Sequence, residues 1–375
     1  MRDLQILING KVIMEEEIKK LCKEFTVDGL YDSYVEITVG NVNKTYKVNF
    51  HDKDGSKKSY VVQQLNTYVF RNPTQVMENI EKITEYIRLK KPNEPSLHFH
   101  HTLDKKTYVH DNTGFWRLFN FIPSFTCDVC DDLDMVCNAG EAFGEFQMLL
   151  SDFDASSLYE TIPDFHNTVK RYETLEKDSR EDPCGRVKEV EKELEWLFSV
   201  KDKACRLTEM KNAGLLPLRV THNDTKINNV LFDTKTKKAL TVIDLDTVMP
   251  GLAGHDFGDA IRFAANFVEE DSKDYEKAGV NLNVFEAFTK GFISKTYNTL
   301  TENELSTLAL SCFTLACELS TRFLDDYITG DRYFKILYPD HNLVRTRCQI
   351  SLAKDMLKKM DSMEAIVNKH RRRYK

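Results

Sequence analysis

The first third of the chain alternates between apolar and polar residues over short runs. Residues 1–25 predict a leading strand and then a helix that places Ile18, Leu21, Cys22 and Phe25 on one face. Runs that are typical of strands follow at Val35–Phe50, Tyr60–Val62, Thr107–His110 and Phe115–Ile122. A helical pattern at Val76–Lys90 separates two of these strands, so residues 1–120 are predicted to combine strands with helices.

Apolar residues in the rest of the chain recur at intervals of three and four. The stretch from Ala139 to Phe153 predicts one face of a long helix, and Glu189–Cys205 and Glu302–Ile328 repeat the pattern. Residues 121–375 are therefore predicted to form a second domain that is mostly helical.

One stretch of this second domain, Thr221–Phe263, predicts a loop followed by a short hairpin. Val230–Phe232 form the first strand, polar turn residues follow, and Leu240–Ile243 form the returning strand. Two strands joined by a short turn pair antiparallel. Asn229 enters the first strand and Asp244 leaves the second, so we expect these two residues to lie nearly opposite each other.

The residue types in this stretch favour phosphoryl transfer. An amide oxygen of Asn229 and a carboxylate of Asp244 make a sparse site of hard oxygen ligands, which suits a Mg²⁺ ion that keeps waters and substrate phosphates. Asp224 lies on the preceding loop and is free to meet an acceptor hydroxyl. One base, one Asn and one metal-binding Asp are the parts that kinases use. The sequence contains no GxxxxGK[ST] motif, which excludes a P-loop enzyme.

The pattern His-x-Asp-x4-Asn at His222–Asn229, followed by Ile243-Asp244, resembles the aminoglycoside phosphotransferase and choline kinase superfamily. Thr221–Phe263 and Arg322–Gln349 are similar to bacterial N-acetylhexosamine 1-kinases. The resemblance implies an α/β (α+β) fold of the two-lobed protein-kinase-like type, with an antiparallel-sheet N-terminal lobe at 1–120 and a mostly helical C-terminal lobe at 121–375. It also implies ATP and Mg²⁺ as cofactors. The implied reaction is phosphorylation of the anomeric hydroxyl of N-acetylglucosamine or N-acetylgalactosamine.

The same resemblance assigns roles to individual residues. It implies Asp224 as the catalytic base, which also contacts the acceptor, and Asn229 and Asp244 as the metal ligands. Nucleotide contacts are implied for Gly40, Asn43, Thr45, Gln63, Asn120, Phe121 and Ile122. Acceptor contacts are implied for Asn41, Phe263, Arg322 and Tyr333.

Several of these residues have a second interpretation. The single glycine at Gly40 also fits an ordinary hairpin, and residues 119–122 also fit a core strand. Arg322 and Asp326 lie four apart on a predicted helix, which is also the spacing of a surface ion pair.

Two positions depart from the patterns that the resemblance suggests. Gln63 stands where kinases of this fold carry a lysine or arginine that meets the nucleotide phosphates, and Asn41 stands where the sugar kinases carry a histidine. Two other functions therefore stay open. One is a kinase for another small alcohol, such as an aminoglycoside, choline, homoserine or methylthioribose. The other is a nucleotide-binding protein without catalysis.

Three further carboxylates follow Asp244. The segment His255–Gly258 matches the DFG motif of protein kinases, but the metal ligand is expected directly after the returning strand, which is Asp244. In this superfamily, carboxylates at the positions of Asp256 and Asp259 hold the backbone of the catalytic loop. Asp246 fits either a second metal ligand or a turn cap.

Composition limits the expected binding partners and cellular location of the protein. The chain of 375 residues carries a net charge of −7, which does not suggest a nucleic-acid partner. No signal peptide opens it and no apolar run is long enough to span a bilayer, so we expect a cytoplasmic protein that does not enter membranes. The expected partners are ATP and a small sugar, and the expected assembly is a monomer or weak homodimer.

Overall fold

The computed structural model describes residues 14–38, 42–128 and 130–374. The chain divides into two compact units, Met1–Pro123 and Ser124–Lys375, while the sequence suggested a division between 120 and 121. The predicted leading strand falls mainly in residues 1–13, and this part, Gly40 and Asn41 all lie outside the described residues.

The described part of the first unit is built on an antiparallel sheet. Its strands lie in the order β1-β2-β3-β5-β4, and every neighbouring pair is antiparallel. The elements are helix α1 (14–22), strands β1 (Leu30–Ile37), β2 (Lys44–His51) and β3 (Lys57–Leu65), helix α2 (Pro73–Lys90), and strands β4 (Val109–Asp111) and β5 (Gly114–Asn120).

One face of this sheet is packed against α1. Side chains point to alternate faces along a strand, and the buried set on this face includes Val48 on β2 and Val62 on β3. Ile18, Leu21 and Cys22 of the predicted apolar stripe are buried together on α1, whereas Phe25 joins the same cluster from the chain that follows the end of the helix at residue 22. The opposite face carries the half-buried polar residues of β2 and β3.

The second unit is mainly helical. Its described strands are β6 (Arg219–Thr221), β7 (Val230–Phe232), β8 (Ala239–Val242) and β9 (Met249–Gly251), which pair as β6-β9 and β7-β8. Its helices are α3 (Leu133–Leu149), α4 (Thr168–Glu181), α5 (Glu191–Ser199), α6 (Lys201–Asn212), α7 (Ala253–Ala264), α8 (Leu282–Thr296), α9 (Glu302–Thr329) and α10 (His341–Arg371). An antiparallel sheet in one unit and helices in the other confirm the predicted fold class.

Two predicted helices end earlier than expected. Glu189–Cys205 is not one helix, because Val200 takes φ −108° and ψ 4° and separates α5 from α6. Leu197 before the break and Ala204 after it are both fully buried, so the apolar spacing continues and hides the break. Helix α3 stops at Leu149, which leaves Phe153 in the turn that follows.

Long helix α9 holds the elements of the catalytic region in place. Its N-terminus carries a capping box between Thr301 and Glu304. Glu304 also binds the guanidinium of Arg219 on β6, which leads directly into the catalytic loop. Helix α7 packs closely on α9 at Gly258, where a Cβ would lie 2.5 Å from the carbonyl oxygen of Ser311. No described helix has the length and apolar character needed to cross a bilayer.

Candidate active site

One buried carboxylate fixes the backbone of the loop between β6 and β7. Asp256, in the first turn of α7, accepts hydrogen bonds from the backbone N–H groups of His222 (2.9 Å) and Asn223 (2.8 Å). The side-chain amide of Gln147 on α3 donates a third bond at 2.7 Å. Asp256 is only 1% exposed. Its place in the fold is therefore to hold backbone, which agrees with the interpretation made against the DFG alternative.

The same loop is clamped from the other side by the segment after β8. The Nε2 of His222 donates to the carbonyl oxygen of Ile243 at 2.8 Å, which places the ring proton on Nε2. The Nδ1 of His222 is then an acceptor for the N–H of Asp224 at 3.3 Å. Thr247 donates its hydroxyl to the carbonyl oxygen of His222 at 2.7 Å. Asn223, at φ 63°, donates its amide to the carbonyl oxygen of Thr247 at 2.9 Å.

Asp224 itself is held by the side chains of its neighbours and remains reachable. The Nδ2 of Asn229 donates to its carbonyl oxygen at 2.8 Å and to Oδ2 at 3.2 Å. The ammonium of Lys226 lies 3.1 Å from Oδ1, and the side chain of Asp224 is 29% exposed. A carboxylate in this setting can accept a hydrogen bond or a proton from an incoming hydroxyl.

Lys226 is a residue of this site that the sequence analysis missed. Burial lowers its pKa, but the negative charges of Asp224, Asp259 and Glu270 outweigh burial and raise the pKa above its usual value. Lys226 is therefore a charged neighbour of Asp224. Its position two residues after Asp224 in the motif was the available clue, while its partners are distant in sequence.

Asp259 does not hold the loop backbone, contrary to what the resemblance implied. Its carboxylate lies 3.0 Å from the guanidinium of Arg262 one turn later on α7. Arg262 also binds Glu270. Burial raises the pKa of Asp259, but Arg262 and Lys226 lower it further, so the net shift is downward. These groups form a buried charge network beside the catalytic loop.

Asn229 and Asp244 are brought to neighbouring positions of the hairpin. The N–H of Ile243 donates to the carbonyl oxygen of Asn229 at 2.8 Å, and Asp244 follows Ile243 directly at φ 61°. The Nδ2 of Asn229 donates to Asp224, so its Oδ1 is the side-chain atom that could ligate a cation. One amide and one carboxylate fit Mg²⁺, which binds few protein ligands beside its waters and phosphates. Asp246, next to this pair, is 3% exposed.

Phe263 lies beside the catalytic loop. Its ring and Ile227 line a cavity of about 370 Å³, together with Asp128 and Arg262. The ammonium of Lys226 lies 6.0 Å from the ring centroid of Phe263. Phe263 therefore presents an apolar face close to the lysine that contacts Asp224.

Arg322 lies among aromatic rings and not in an ion pair with Asp326. Its guanidinium carbon is 5.3 Å, 5.8 Å and 5.4 Å from the ring centroids of Phe165, Tyr333 and Phe334. The ring of Tyr333 is largely in solvent, with 69% of the residue exposed. The surface ion pair that the i, i+4 spacing allowed is thus not formed, because the carboxylate of Asp326 faces backbone.

The segment after α9 is shaped by Asp326. Gly330, at φ 98°, ends the helix, and the chain then turns back over the carboxylate. Oδ1 of Asp326 accepts from the N–H groups of Arg332 and Tyr333, each at 2.8 Å, and Oδ2 accepts from the N–H of Phe334 at 2.9 Å. This arrangement fixes the position of Tyr333 relative to Arg322.

A small cavity lies between Phe165 and the catalytic loop. Phe165, which lies under the guanidinium of Arg322, lines a cavity of about 60 Å³. Asn223, the residue before Asp224, lines the same cavity, as do His166 and His255. His166 pairs with buried Glu318 at 2.7 Å.

In the first unit, the residues expected near the nucleotide phosphates lie on adjacent strands. Gln63 on β3 donates its amide to the hydroxyl of Thr45 on β2 at 2.9 Å. The Oδ1 of Asn43 accepts from the N–H of Asn66 at 2.9 Å and so ties the β1–β2 loop to the end of β3. The contacts of these residues with a nucleotide remain predictions.

The segment expected to meet the base follows β5. The side chain of Asn120 binds the backbone of residues 96 and 98, and its N–H donates to the carbonyl oxygen of His98 at 3.2 Å. The N–H of Phe121 donates to Ser59 at 3.2 Å. Ile122 is buried. The ammonium of Lys47 lies 4.0 Å from the ring centroid of Phe121. The backbone N–H groups of Asn120 and Phe121 thus already serve the sheet.

Solved structures of several kinases resemble this chain. An aminoglycoside phosphotransferase from Alicyclobacillus acidocaldarius has a TM-score of 0.62 at 12% identity, over 93% of this chain and 96% of that one. An amicoumacin kinase solved with AMP-PNP and Ca²⁺ has a TM-score of 0.58 at 13% identity, over 90% and 93%. A choline kinase from Cryptosporidium parvum has a TM-score of 0.55 at 12% identity, over 94% and 98%. At these identities the likeness concerns the fold.

The sequence profile of a protein family is more specific. The profile described as "Phosphotransferase enzyme family" matches residues 34–287, which include the catalytic loop, the hairpin and α7. The match covers more than half of the 375 residues. The chain belongs to the phosphotransferase enzyme family.

Proposed function

We propose that this protein is an ATP- and Mg²⁺-dependent kinase that phosphorylates the anomeric hydroxyl of N-acetylglucosamine or N-acetylgalactosamine. The observation that carries the proposal is the setting of Asp224, a reachable carboxylate on a loop whose backbone is fixed by Asp256. The similarity of the catalytic motif and of Arg322–Gln349 to the sugar kinases supports the acceptor.

In this proposal Asp224 orients the acceptor. The acceptor oxygen forms a bond to the γ-phosphorus, the bond between that phosphorus and the β–γ bridging oxygen breaks, and the hydroxyl proton passes to the carboxylate of Asp224. An anomeric hydroxyl is more acidic than an ordinary alcohol, so orientation by Asp224 matters more than base strength. Asn229 and Lys226 prevent rotation of the carboxylate, because each binds one of its oxygens.

Asn229 and Asp244 are the proposed metal ligands. A divalent cation there would neutralise charge on the β- and γ-phosphates. The amicoumacin kinase of similar fold was solved with AMP-PNP and Ca²⁺, which supports a nucleotide and a divalent cation as the bound pair. Asn43, Thr45 and Gln63 are proposed to meet the phosphates, and the segment from Asn120 to Ile122 is proposed to meet the base.

The surroundings of Arg322 support a neutral sugar over a cationic acceptor. A guanidinium donates hydrogen bonds to hydroxyl and acetamide oxygens, and exposed Tyr333 offers a ring face. Two of the neighbouring carboxylates are engaged elsewhere, since Asp326 binds backbone N–H groups and Asp331 binds Arg186. An aminoglycoside or choline, which needs an acidic or aromatic cage, would meet the positive charge of Arg322 instead.

A panel of acceptors tests this proposal. The purified protein is incubated with ATP, Mg²⁺ and one acceptor at a time, and ADP release is measured. N-acetylglucosamine or N-acetylgalactosamine should react and give a product without a free reducing end, because phosphate blocks the anomeric position. A product that keeps its reducing end, or turnover with choline or an aminoglycoside alone, would overturn the acceptor assignment.

The Arg322→Ala variant tests the acceptor site. Loss of a hydrogen-bonding guanidinium leaves polar groups of the sugar unpaired, so the KM for the sugar should rise roughly tenfold or more with little change in the KM for ATP. Arg345→Ala is the matched control, since Arg345 also lies over an aromatic ring, that of Phe323. Equal effects of the two variants would contradict a contact between Arg322 and the sugar.

A further inference from the structure

A buried arginine lies beside the glutamine that stands in the lysine position of β3. Gln63 is paired with Thr45 of β2 on one side and with Arg117 of β5 on the other. Cross-strand partners project to the same face of a sheet, with Cβ atoms about 5 Å apart. The three side chains therefore form a row across three strands, on the face opposite α1.

The row is joined by hydrogen bonds that all run in one direction. The Nε of Arg117 donates to the Oε1 of Gln63 at 2.9 Å, and a terminal nitrogen of the same guanidinium donates to the same oxygen at 2.5 Å. The Nε2 of Gln63 then donates to the hydroxyl oxygen of Thr45 at 2.9 Å. A guanidinium has donors only, so it fixes which end of the Gln63 amide is the oxygen and turns the nitrogen toward Thr45.

The row ends in two donors. Within the described residues, neither the second amide hydrogen of Gln63 nor the hydroxyl hydrogen of Thr45 has an acceptor. Both side chains are half-buried and therefore reachable, whereas Arg117 is 2% exposed. Each bond in such a chain polarises the next, so a positive charge at one end makes the donors at the other end stronger.

We infer that the buried guanidinium of Arg117 supplies the charge of the missing lysine and acts through Gln63 and Thr45, whose side chains meet the phosphate oxygens of the nucleotide. The inference rests on the proposed function. Arg117 is a positioning residue in this arrangement, since its buried guanidinium supplies the charge while Gln63 and Thr45 make the contacts. A buried positive charge acts on an anion through a medium of low dielectric constant, where it is screened less than a lysine in water.

A purely structural role for the row makes a different prediction. If the row only stabilised the fold, its substitution would change the affinities of all ligands that bind this face of the sheet by the same factor. A phosphate site should matter only to ligands that carry phosphates. The affinities of adenosine, AMP, ADP and ATP, measured by isothermal titration with Mg²⁺ present, separate the two roles.

Three variants of the full chain carry the test. Gln63→Leu removes the relay, Thr45→Val removes one donor and keeps a β-branched strand residue, and Arg117→Met removes the charge. Gln64→Leu is the matched control, because Gln64 is the next residue of β3 and donates its amide to the carbonyl oxygen of Thr113 at 2.7 Å. Thermal melts establish that each variant is folded. If Arg117→Met does not fold, Gln63→Leu and Thr45→Val decide the outcome, because their side chains are half-buried.

The expected result is a loss that depends on phosphate. Gln63→Leu should weaken binding of ADP and ATP roughly tenfold or more and should leave adenosine binding within about twofold, since hydrogen bonds to charged groups contribute on that scale. Gln64→Leu should bind every ligand as the wild type does. If Gln63→Leu lost equal affinity for adenosine and ATP, or lost no affinity for ATP, the inference would be overturned. The proposed function would survive either result, provided that the wild type still turns over ATP with a sugar. Failure of the wild type to bind ATP at all would overturn the proposed function instead.

Discussion

The catalytic loop and the segment after α9 are each held by a buried aspartate of a neighbouring helix that binds backbone N–H groups, yet the two regions expose different chemistry. Asp256 fixes His222 and Asn223, and the residue that follows them, Asp224, is a reachable carboxylate. Asp326 fixes residues 332–334, and what that segment exposes is the ring of Tyr333 beside Arg322. The same hydrogen-bonding arrangement therefore positions an acid–base group in one region and an aromatic and cationic surface in the other.

This difference separates two classes of carboxylate in the protein. Asp256 and Asp326 are buried and shape a loop by accepting from backbone N–H groups, whereas Asp224 is held by side chains and is reachable. Substitution in the first class should accordingly act on stability or on the segment that the carboxylate positions, and substitution of Asp224 should act on turnover. The predictions below test that division.

The largest effect is expected for Asp244→Asn. The substitution removes the charged ligand of the proposed metal pair and should abolish measurable turnover, because such electrostatic stabilisation contributes on the order of 3 kcal/mol or more to the barrier. Turnover is measured at saturating Mg²⁺. Asp233→Asn is the control in the turn of the same hairpin, where Asp233 is half-buried and accepts from the N–H of Thr236. Near-normal turnover of Asp244→Asn would remove Asp244 from the metal site.

Asp224→Asn should lower kcat roughly a hundredfold or more, since general-base contributions are of that size. The affinity for ATP and the melting temperature should stay close to those of the wild type, because Asp224 is held by side chains and is partly in solvent. Steady-state kinetics with both substrates varied provide the measurement. A change confined to the KM for ATP would show that Asp224 contacts the nucleotide and not the acceptor.

Asp256→Asn should act on stability first. The new amide brings a donor toward the N–H groups of His222 and Asn223 and leaves at least one of them unpaired in the interior, which should cost about 2 kcal/mol in the free energy of unfolding. Denaturant unfolding provides the measurement, with exposed Asp274→Asn as control. A variant as stable as the wild type that instead needs more Mg²⁺ would favour the DFG alternative over Asp244.

Asp326→Asn should act mainly on the acceptor. Loss of the charged acceptor weakens the bonds that position Tyr333 and Phe334, so the KM for the sugar should rise several-fold, on the order of 1 kcal/mol, with kcat nearly unchanged. Kinetics at saturating ATP measure the change. An equal loss of kcat and no change in the KM would contradict the assignment of this segment to acceptor binding.

Asp325 belongs to neither class and should produce the smallest effect, visible only as a pH dependence. Burial, together with Asp178 and Asp326, raises the pKa of Asp325 to about 7. Between about pH 4 and pH 7 the folded protein keeps a proton that the unfolded chain has lost, so stability should fall as pH rises through this window. Asp325→Asn should therefore raise the Tm by roughly 2 °C or more at pH 8 and leave it unchanged at pH 4. The control Asp361→Asn, at an exposed position of α10, should leave the Tm unchanged at both pH values. Equal shifts at both pH values would exclude titration of Asp325 as the cause.

Features of the site that are local in sequence could be predicted, and those that join distant elements could not. The hairpin Val230–Val242 was evident from two short apolar runs and a polar turn, but the register shift between Leu231 and Phe232 was not. Lys226 lies inside the motif, but its relation to Asp259 and Glu270 depends on the packing of α7 beside the loop. The break at Val200 was missed because apolar spacing continues through it.

By itself, the sequence determined which parts of the chain form strands and which form helices, because hydrophobic periodicity depends on backbone geometry over a few residues, and the class of fold followed from the resemblance of its motif. Only the tertiary structure decided which carboxylates bind backbone and which remain reachable. Asp256 reaches residues 33 and 34 positions earlier, and Arg117 reaches Gln63 across 54 positions. Such contacts arise when elements that are distant in sequence bury their apolar faces together, and no local pattern encodes which polar groups then meet.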